Sequence, residues 1–391
     1  MTVRFNPFSA EFRRDPYPLY RQLRETRPVH RSLGTWVLTR HADVRTVLHD
    51  RSFSAGLIPR LVSEQARRLS GENVPRIERL GRKSLVFTDN PDHARLRGLV
   101  NRAFTAPTIA KLRPVVEKTA LRLAESAARN GGMDVIAEFA APLPVAVLSE
   151  WMALPDTLRE NVGRWTHDIR FLLEPGLMKG ADFARVAEVV DRFAAALDDV
   201  VQARREQPGE DLISRLLASG DRLSGEELVF VCMMCFVAGN ETTKSLIGNG
   251  SLAFLRHGIP PGAGAVGEAL RYDSPLQLTK RLATRDVEIG GETIRAGDQV
   301  LLCLGAANRD PGVFADPDRF DPARDTTGHL AFGHGMHGCL GGLLAELQAE
   351  VAFETLSGYR LSLRDEELEW QDQSFIVRGL KRLPVTVGSA R

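Results

Sequence analysis

Apolar positions recur three and four residues apart over much of this chain, with polar residues between them, and that period marks helices. The clearest runs are Ile109–Arg129, Leu143–Met152 and Ala181–Glu206. Gly131-Gly132 and Pro208-Gly209-Glu210-Asp211 punctuate them. Near the start, Pro18–Arg24 and His41–Leu48 read as shorter amphipathic helices around a strand at Thr35–Thr39. Residues 54–84 show no clean period and are expected to form a loop with short helical pieces. Ser224 with Glu227 three residues on makes a capping box. It opens a long helix to about Leu255, apolar until Ala238-Gly239-Asn240-Glu241-Thr242-Thr243 interrupts it. Strand-like alternation with glycine turns fills residues 278–304, and Phe375–Leu380 with Leu383–Val385 suggests a closing hairpin. The pattern predicts a mainly α fold with a smaller β-rich region.

Composition narrows the function classes. With 391 residues and 43% hydrophobic positions the chain has material for a large core. A formal net charge of +1 gives no pull toward nucleic acid or an anionic membrane. The longest apolar run, Leu228–Gly239, is too short to span a bilayer, and Met1–Pro7 holds no apolar run of a signal peptide. Four cysteines, Cys232, Cys235, Cys303 and Cys339, suit a reducing compartment, so a cytoplasmic protein is expected.

One stretch carries candidate chemistry. Residues 332–342 pack five glycines and Cys339 ahead of the helix-forming run Leu343–Phe353. A thiolate near a helix N-terminus is stabilised there and acts as a nucleophile or a soft metal ligand. His337 or His334 could serve the nucleophile as base; zinc would need further ligands, and no second cysteine is near. Haem iron needs one protein thiolate. Elsewhere, Gly239 beside an acid and two threonines is costly in a buried helix, and such cost is tolerated where a helix bulges or binds something. Cys235, Ala238 and Thr242 fall on about one helical face. Cys232 and Cys235 read as small apolar filler. His93 and Arg97 sit one turn apart after Asp89-Asn90, either of which could cap their helix, and Glu268 and Arg271 can pair at a three-residue spacing. Trp165, His167, Phe171 and Met178 could face a substrate, but core packing is the first reading of each.

The run Phe332-Gly333-His334-Gly335-Met336-His337-Gly338-Cys339-Leu340-Gly341 resembles the haem-binding signature of the cytochrome P-450 family, with every fixed position filled. Ala238-Gly239-Asn240-Glu241-Thr242 is similar to that family's distal-helix motif, and the order of motifs covers nearly the whole chain. The resemblance implies one domain over residues 1–391, with haem b held between a long distal helix and a proximal helix. Cys339 becomes the axial ligand, Phe332 packs by the sulfur, and His93, Arg97, Arg281 and His337 hold propionates. Thr242 hydrogen-bonds bound dioxygen, and Glu241 belongs to the proton relay. Glu268, Arg271 and Arg319 form a structural triad, and Met234, Cys235, Ala238 and Phe375 line the substrate pocket. The family usually has a further helix after the distal one, for which residues 256–265 leave too little chain. The activity implied is that of a bacterial monooxygenase acting on a small specialised-metabolism molecule, free or on a carrier protein. Electrons would come from a separate ferredoxin and ferredoxin reductase. A peroxide-using or rearranging enzyme, or a non-catalytic haem-binding or docking protein, stays open at this stage.

Overall fold

The computed structural model describes residues 5–69, 75–218, 223–364 and 367–390. Among the described residues ten strands run in chain order: β1 Val29–Ser32, β2 Thr35–Leu38, β3 Phe53–Ser54, β4 Gly132–Asp134, β5 Leu278–Ala283, β6 Val287–Ile289, β7 Glu292–Ile294, β8 Gln299–Cys303, β9 Tyr359–Leu363 and β10 Pro384–Ala390. The principal helices are α1 Tyr17–Thr26, α2 His41–His49, α3 Leu57–Leu69, α4 Pro75–Lys83, α5 Asp92–Val100 and α6 Arg113–Arg129. They continue as α7 Pro142–Trp151, α8 Asp156–Ile169, α9 Gly180–Glu206, α10 Gly225–His257, α11 Val266–Tyr272 and α12 Gly342–Ser357. The chain is therefore mainly helical with a smaller β-rich region. It clusters into two compact units: Met1–Ser54, Ala120–Ala141 and Thr242–Arg391 make the first, Ala55–Thr119 and Pro142–Glu241 the second.

The first unit holds the sheets. The largest has five strands in the order β1-β2-β8-β5-β3, with β2 parallel to β8 (Trp36 opposite Val300) and β5 antiparallel to it. Val29, Leu38, Phe53, Ala283, Val300 and Leu302 belong to one buried cluster that this sheet shares with α2. Gly290 and Gly291, both at positive φ, turn β6 into β7, a conformation that glycine reaches without strain. The closing hairpin expected over Phe375–Val385 does not form. Instead β10 pairs with β9 and with β4, and Val377 and Leu380 make single bridges to Leu276 and Trp370. Local alternation reports a strand but not its partner.

Helix α11 follows α10 after a short connection holding one 3-10 turn, Ala263–Ala265. Its Glu268 and Arg271 side chains are both 0% exposed and meet twice, Nε to Oε2 at 2.7 Å and Nη2 to Oε1 at 2.8 Å. The guanidinium also donates to the carbonyls of Asn308, Pro317 and Arg319, and Glu268 accepts the Asp321 N–H. One buried ion pair thus gathers the loop that leads to the cysteine stretch. The third side chain on Glu268 is Arg324 Nε, at 3.3 Å, and not Arg319 as expected. Arg319 gives its backbone carbonyl and turns its side chain outward to Asp321. Only one of the two arginines has a path inward, and sequence spacing does not distinguish them.

The second unit is helical. The loop expected over residues 54–84 is instead two helices, α3 and α4, which bury Leu57, Ile58, Val62 and Ala66 and Ile77 and Leu80 respectively. The run over Ile109–Arg129 is split: a short helix, Ala106–Ala110, precedes α6. Helix α9 packs on α8 and α4. At the start of α10 the capping box is closed in both directions, Ser224 N–H to Glu227 Oε2 at 2.9 Å and Glu227 N–H to Ser224 Oγ at 3.2 Å. Glu226 draws in Arg79 and Lys83 of α4, each at 2.8 Å, and Glu227 draws in Arg95 of α5.

Candidate active site

The cysteine loop is shaped by its glycines. Gly333 and Gly335 both sit at positive φ, 69° and 70°. A Cβ on Gly335 would lie 2.8 Å from the Leu48 carbonyl oxygen, so the loop lies against the end of α2. A 3-10 turn, Gly335–His337, returns the chain, and Cys339 N–H donates to the Phe332 carbonyl at 2.8 Å. The Phe332 ring lies over the first residue of α12, 3.5 Å from where a Gly342 Cβ would be. The loop therefore presents Cys339 just ahead of a sixteen-residue helix, with an aromatic ring beside that helix's start.

Of the four cysteines Cys339 alone is exposed, and none is in a disulfide. Burial pushes the thiol of Cys235 up to about 12 and raises those of Cys232 and Cys303 further, so these three stay protonated and inert. Among the described residues no group of three or more His, Cys, Asp and Glu could hold a metal ion. A metal on Cys339 would need its remaining ligands from a macrocycle, which is what a single accessible thiolate beside a glycine loop suits.

The cationic candidates are divided between the units. In the first, His337 belongs to the turn of the cysteine loop, and buried Arg281 on β5 donates to the Lys280 carbonyl at 2.8 Å. In the second, His93 and Arg97 stand one turn apart on α5, His93 buried. Burial, with the neighbouring Arg97, lowers the pKa of His93 and favours the neutral ring. The side-chain cap expected from Asp89 or Asn90 is absent. Pro91 is the N-cap residue, and Asp89 instead accepts the Ala55 N–H at 3.1 Å.

Helix α10 runs without a break through Ala238–Thr243, in line with the single long helix expected to about Leu255, and it is the apolar run that stops there. Gly239 has a packing reason: a Cβ there would press on Leu148 Cδ1 at 3.3 Å. In a helix otherwise buried nearly all round, Cys235, Ala238, Gly239 and Thr242 form the accessible stripe. Met234 leaves that stripe. With Val237 it lines a small apolar cavity walled by Ile58, Val62, Leu80, Phe87 and Leu172. Phe375, the fourth pocket candidate, packs edge-on against Phe8 under the Lys280 ammonium, in a groove with Phe12 and Gln371.

Glu241 is 7% exposed and faces His167 of α8, Oε1 to Nδ1 at 3.5 Å. His167 had read as packing, because a pair made between two helices leaves no local signature. The one available signal was a histidine near the end of an amphipathic helix.

The sequence model of the family described as Cytochrome P450 matches residues 263–384. Cytochrome P450 107B1 of Saccharopolyspora erythraea is 37% identical, over 98% of this chain and 97% of its own. The same organism's 6-deoxyerythronolide B hydroxylase is 36% identical, over 96% and 97%. The crystal structure of P450BioI in complex with an acyl carrier protein ligated to hexadec-9Z-enoic acid superposes with a TM-score of 0.88. It is 33% identical and covers 97% of this chain and 99% of that one. With likeness along essentially its full length and an exposed cysteine in the signature loop, the chain belongs to the cytochrome P450 family of haem-thiolate monooxygenases.

Proposed function

We propose that this chain inserts one oxygen atom of dioxygen into a small, largely apolar organic substrate, with Cys339 as the axial thiolate of a haem b. The observation that carries the proposal is the accessible Cys339 thiol at the end of a glycine-shaped loop, the other three thiols being buried or partly buried and held protonated. When bound, the haem supplies the reductive activation of dioxygen, and thiolate ligation favours O–O cleavage.

The chain's own residues do the rest. His337 and Arg281, with His93 and Arg97, hold the propionates by charge-assisted hydrogen bonds. Thr242, on the accessible stripe of α10, offers a hydroxyl that both donates and accepts. Glu241, the preceding residue, is the carboxyl that takes up and passes on a proton. Cys235 and Ala238 share the stripe and contact substrate, and the aliphatic cavity beside Met234 admits an apolar portion of it. Two features of the relatives support a specialised-metabolism substrate, free or carried: a hydroxylase named for 6-deoxyerythronolide B and a complex with a loaded acyl carrier protein. Electrons come from a separate ferredoxin and its reductase. The protein works in the cytoplasm, in keeping with the absence, among the described residues, of any helix long and apolar enough to cross a membrane.

The test is spectroscopic and then chemical. Reduced protein under carbon monoxide should show the red-shifted Soret band of thiolate-ligated haem, and Cys339→His should move it to shorter wavelength. An unchanged band in that variant removes Cys339 as ligand. Turnover of candidate substrates under isotopically heavy dioxygen should place one labelled oxygen in the product, whereas label-free product would refute oxygen insertion.

A further inference from the structure

His167 occupies an unusual position in the second unit. Its side chain is 44% exposed, while the carboxylate it faces, Glu241, is 7% exposed. One imidazole therefore touches solvent and a buried acid at once. Its Nδ1 is also contested. Glu241 Oε1 lies 3.5 Å from that nitrogen, and Arg170 Nε–H donates toward the same atom, again at 3.5 Å. A nitrogen cannot serve both. With a proton, Nδ1 donates to Glu241 and turns the arginine away; without one, it accepts from Arg170 and offers the carboxylate only a lone pair. Both contacts are long, so a shift well under an ångström closes one and breaks the other.

The surroundings hold this arrangement in place. The Phe171 ring stacks under the Arg170 guanidinium at 4.6 Å and meets the His167 ring edge-on at 5.7 Å. The other charged groups nearby have their own partners. Asp168, next in α8, holds Arg185 of α9, which also reaches Asp182, and Glu150 of α7 holds Arg159. Glu174, four residues past Arg170, is the other buried acid of the segment.

We propose that His167 is the proton entry residue for Glu241, loading the buried carboxylate from solvent. This rests on the reading of Glu241 as the relay acid. The step balances: the imidazolium Nδ1–H bond breaks, an O–H bond forms on Glu241, and the products are a neutral imidazole and a carboxylic acid. Arg170 then donates to the vacated Nδ1 lone pair; once the arginine swings away, water returns a proton to that same nitrogen, the only basic site on the ring while Nε2 keeps its hydrogen. Histidine suits this because it is the side chain that ordinarily changes charge between about pH 5 and 8. His167 acts through Glu241 and so is a positioning and proton-supply residue rather than a catalytic one.

The experiment uses the haem-loaded protein, a turned-over substrate and a surrogate ferredoxin system. Product formed per electron consumed is measured from about pH 5.5 to 8.5. Wild type should show a step in turnover across the histidine range. His167→Gln should lose the step and turn over at least roughly tenfold more slowly at neutral pH. A readout independent of turnover is the C2-proton titration of histidines in the reduced, carbon monoxide-bound form. The resonance missing from His167→Gln should change position in Glu241→Gln, because the group facing its Nδ1 has been exchanged. A His167→Gln enzyme with wild-type rate and profile, beside a slow Glu241→Gln, overturns the proposal and leaves the relay reading of Glu241 intact. A Glu241→Gln enzyme with wild-type turnover overturns both. A His167 resonance indifferent to Glu241→Gln also overturns the proposal, even if His167→Gln fails to fold.

Discussion

Removing the Glu268 carboxylate should be among the most damaging single changes to this chain. Glu268 accepts four hydrogen bonds: two from Arg271, one from the Asp321 N–H and one from Arg324 Nε. In Glu268→Ala, Arg271 Nε loses its acceptor and Nη2 keeps only the Arg319 carbonyl at 3.3 Å, on a side chain with no access to water. Breaking a buried ion pair by deleting one partner costs about 3–5 kcal/mol. That is a large part of the roughly 5–15 kcal/mol that holds a typical domain folded. At about 1.4 kcal/mol per tenfold, the unfolded fraction rises by two to nearly four orders of magnitude. Urea titration with matched slopes measures it as a lower midpoint. Arg319→Ala is the control, because that side chain is 68% exposed and pairs with Asp321 at the surface. It should cost less than about 1 kcal/mol. A Glu268→Ala protein within about 1 kcal/mol of wild type would refute the reasoning, and so would an Arg319→Ala that loses as much as Glu268→Ala.

Three more expectations test the site. Thr242→Ala should keep haem and substrate-induced spectral shifts yet divert most electrons to hydrogen peroxide, measured against product; wild-type coupling would rule out its hydroxyl as a proton partner. Gly335→Ala must take a strained φ of 70° and set a Cβ 2.8 Å from the Leu48 carbonyl, so it should lose haem retention and the thiolate band. Gly34→Ala has a similar φ of 78° but nothing within 4 Å, so it should cost backbone strain alone, and equal damage from both would remove the steric explanation. His329 is held at a pKa of about 4 by burial and by Arg271, while its Nδ1 accepts the Ala331 N–H. The unfolded chain takes up that proton first, near pH 6.5, so stability is complete above that value and declines as pH falls toward about 4. His329→Asn should flatten that part of a stability–pH curve, and an unchanged acid slope would refute it.

What could be read from the chain alone was what is local. The capping box at Ser224 and Glu227 and the helix over Ala181–Glu206 follow from side chains a few residues apart, and both are present with little change in bounds. Helices α3 and α4 were missed because their arginine-rich composition blurred a period that is visible once burial is known. The end of the chain read as a hairpin because alternation cannot show that the partners of β10 are β9 and β4. The site divides the same way. The cysteine loop announced itself through the spacing of its glycines, whereas the choice between Arg319 and Arg324 depends on which side chain turns inward. His167 carried only the weak signal of a histidine near the end of an amphipathic helix, since its meaning lies in what α8 places beside α10.

The interleaving of the two units has a consequence for how the protein is made. Trp36 takes its sheet partner from Val300, and β10, which completes the smaller sheet with β4, ends at Ala390. A ribosome releasing this chain from the N-terminus thus exposes the apolar strand β2 long before β8 exists to pair with it. The helical unit has all its segments once Glu241 has emerged, while the sheet unit must wait for β10, Pro384–Ala390. Truncation anywhere beyond Glu241 therefore leaves a sheet without its edge or its centre. Limited proteolysis of stalled nascent chains should find the helices protected first.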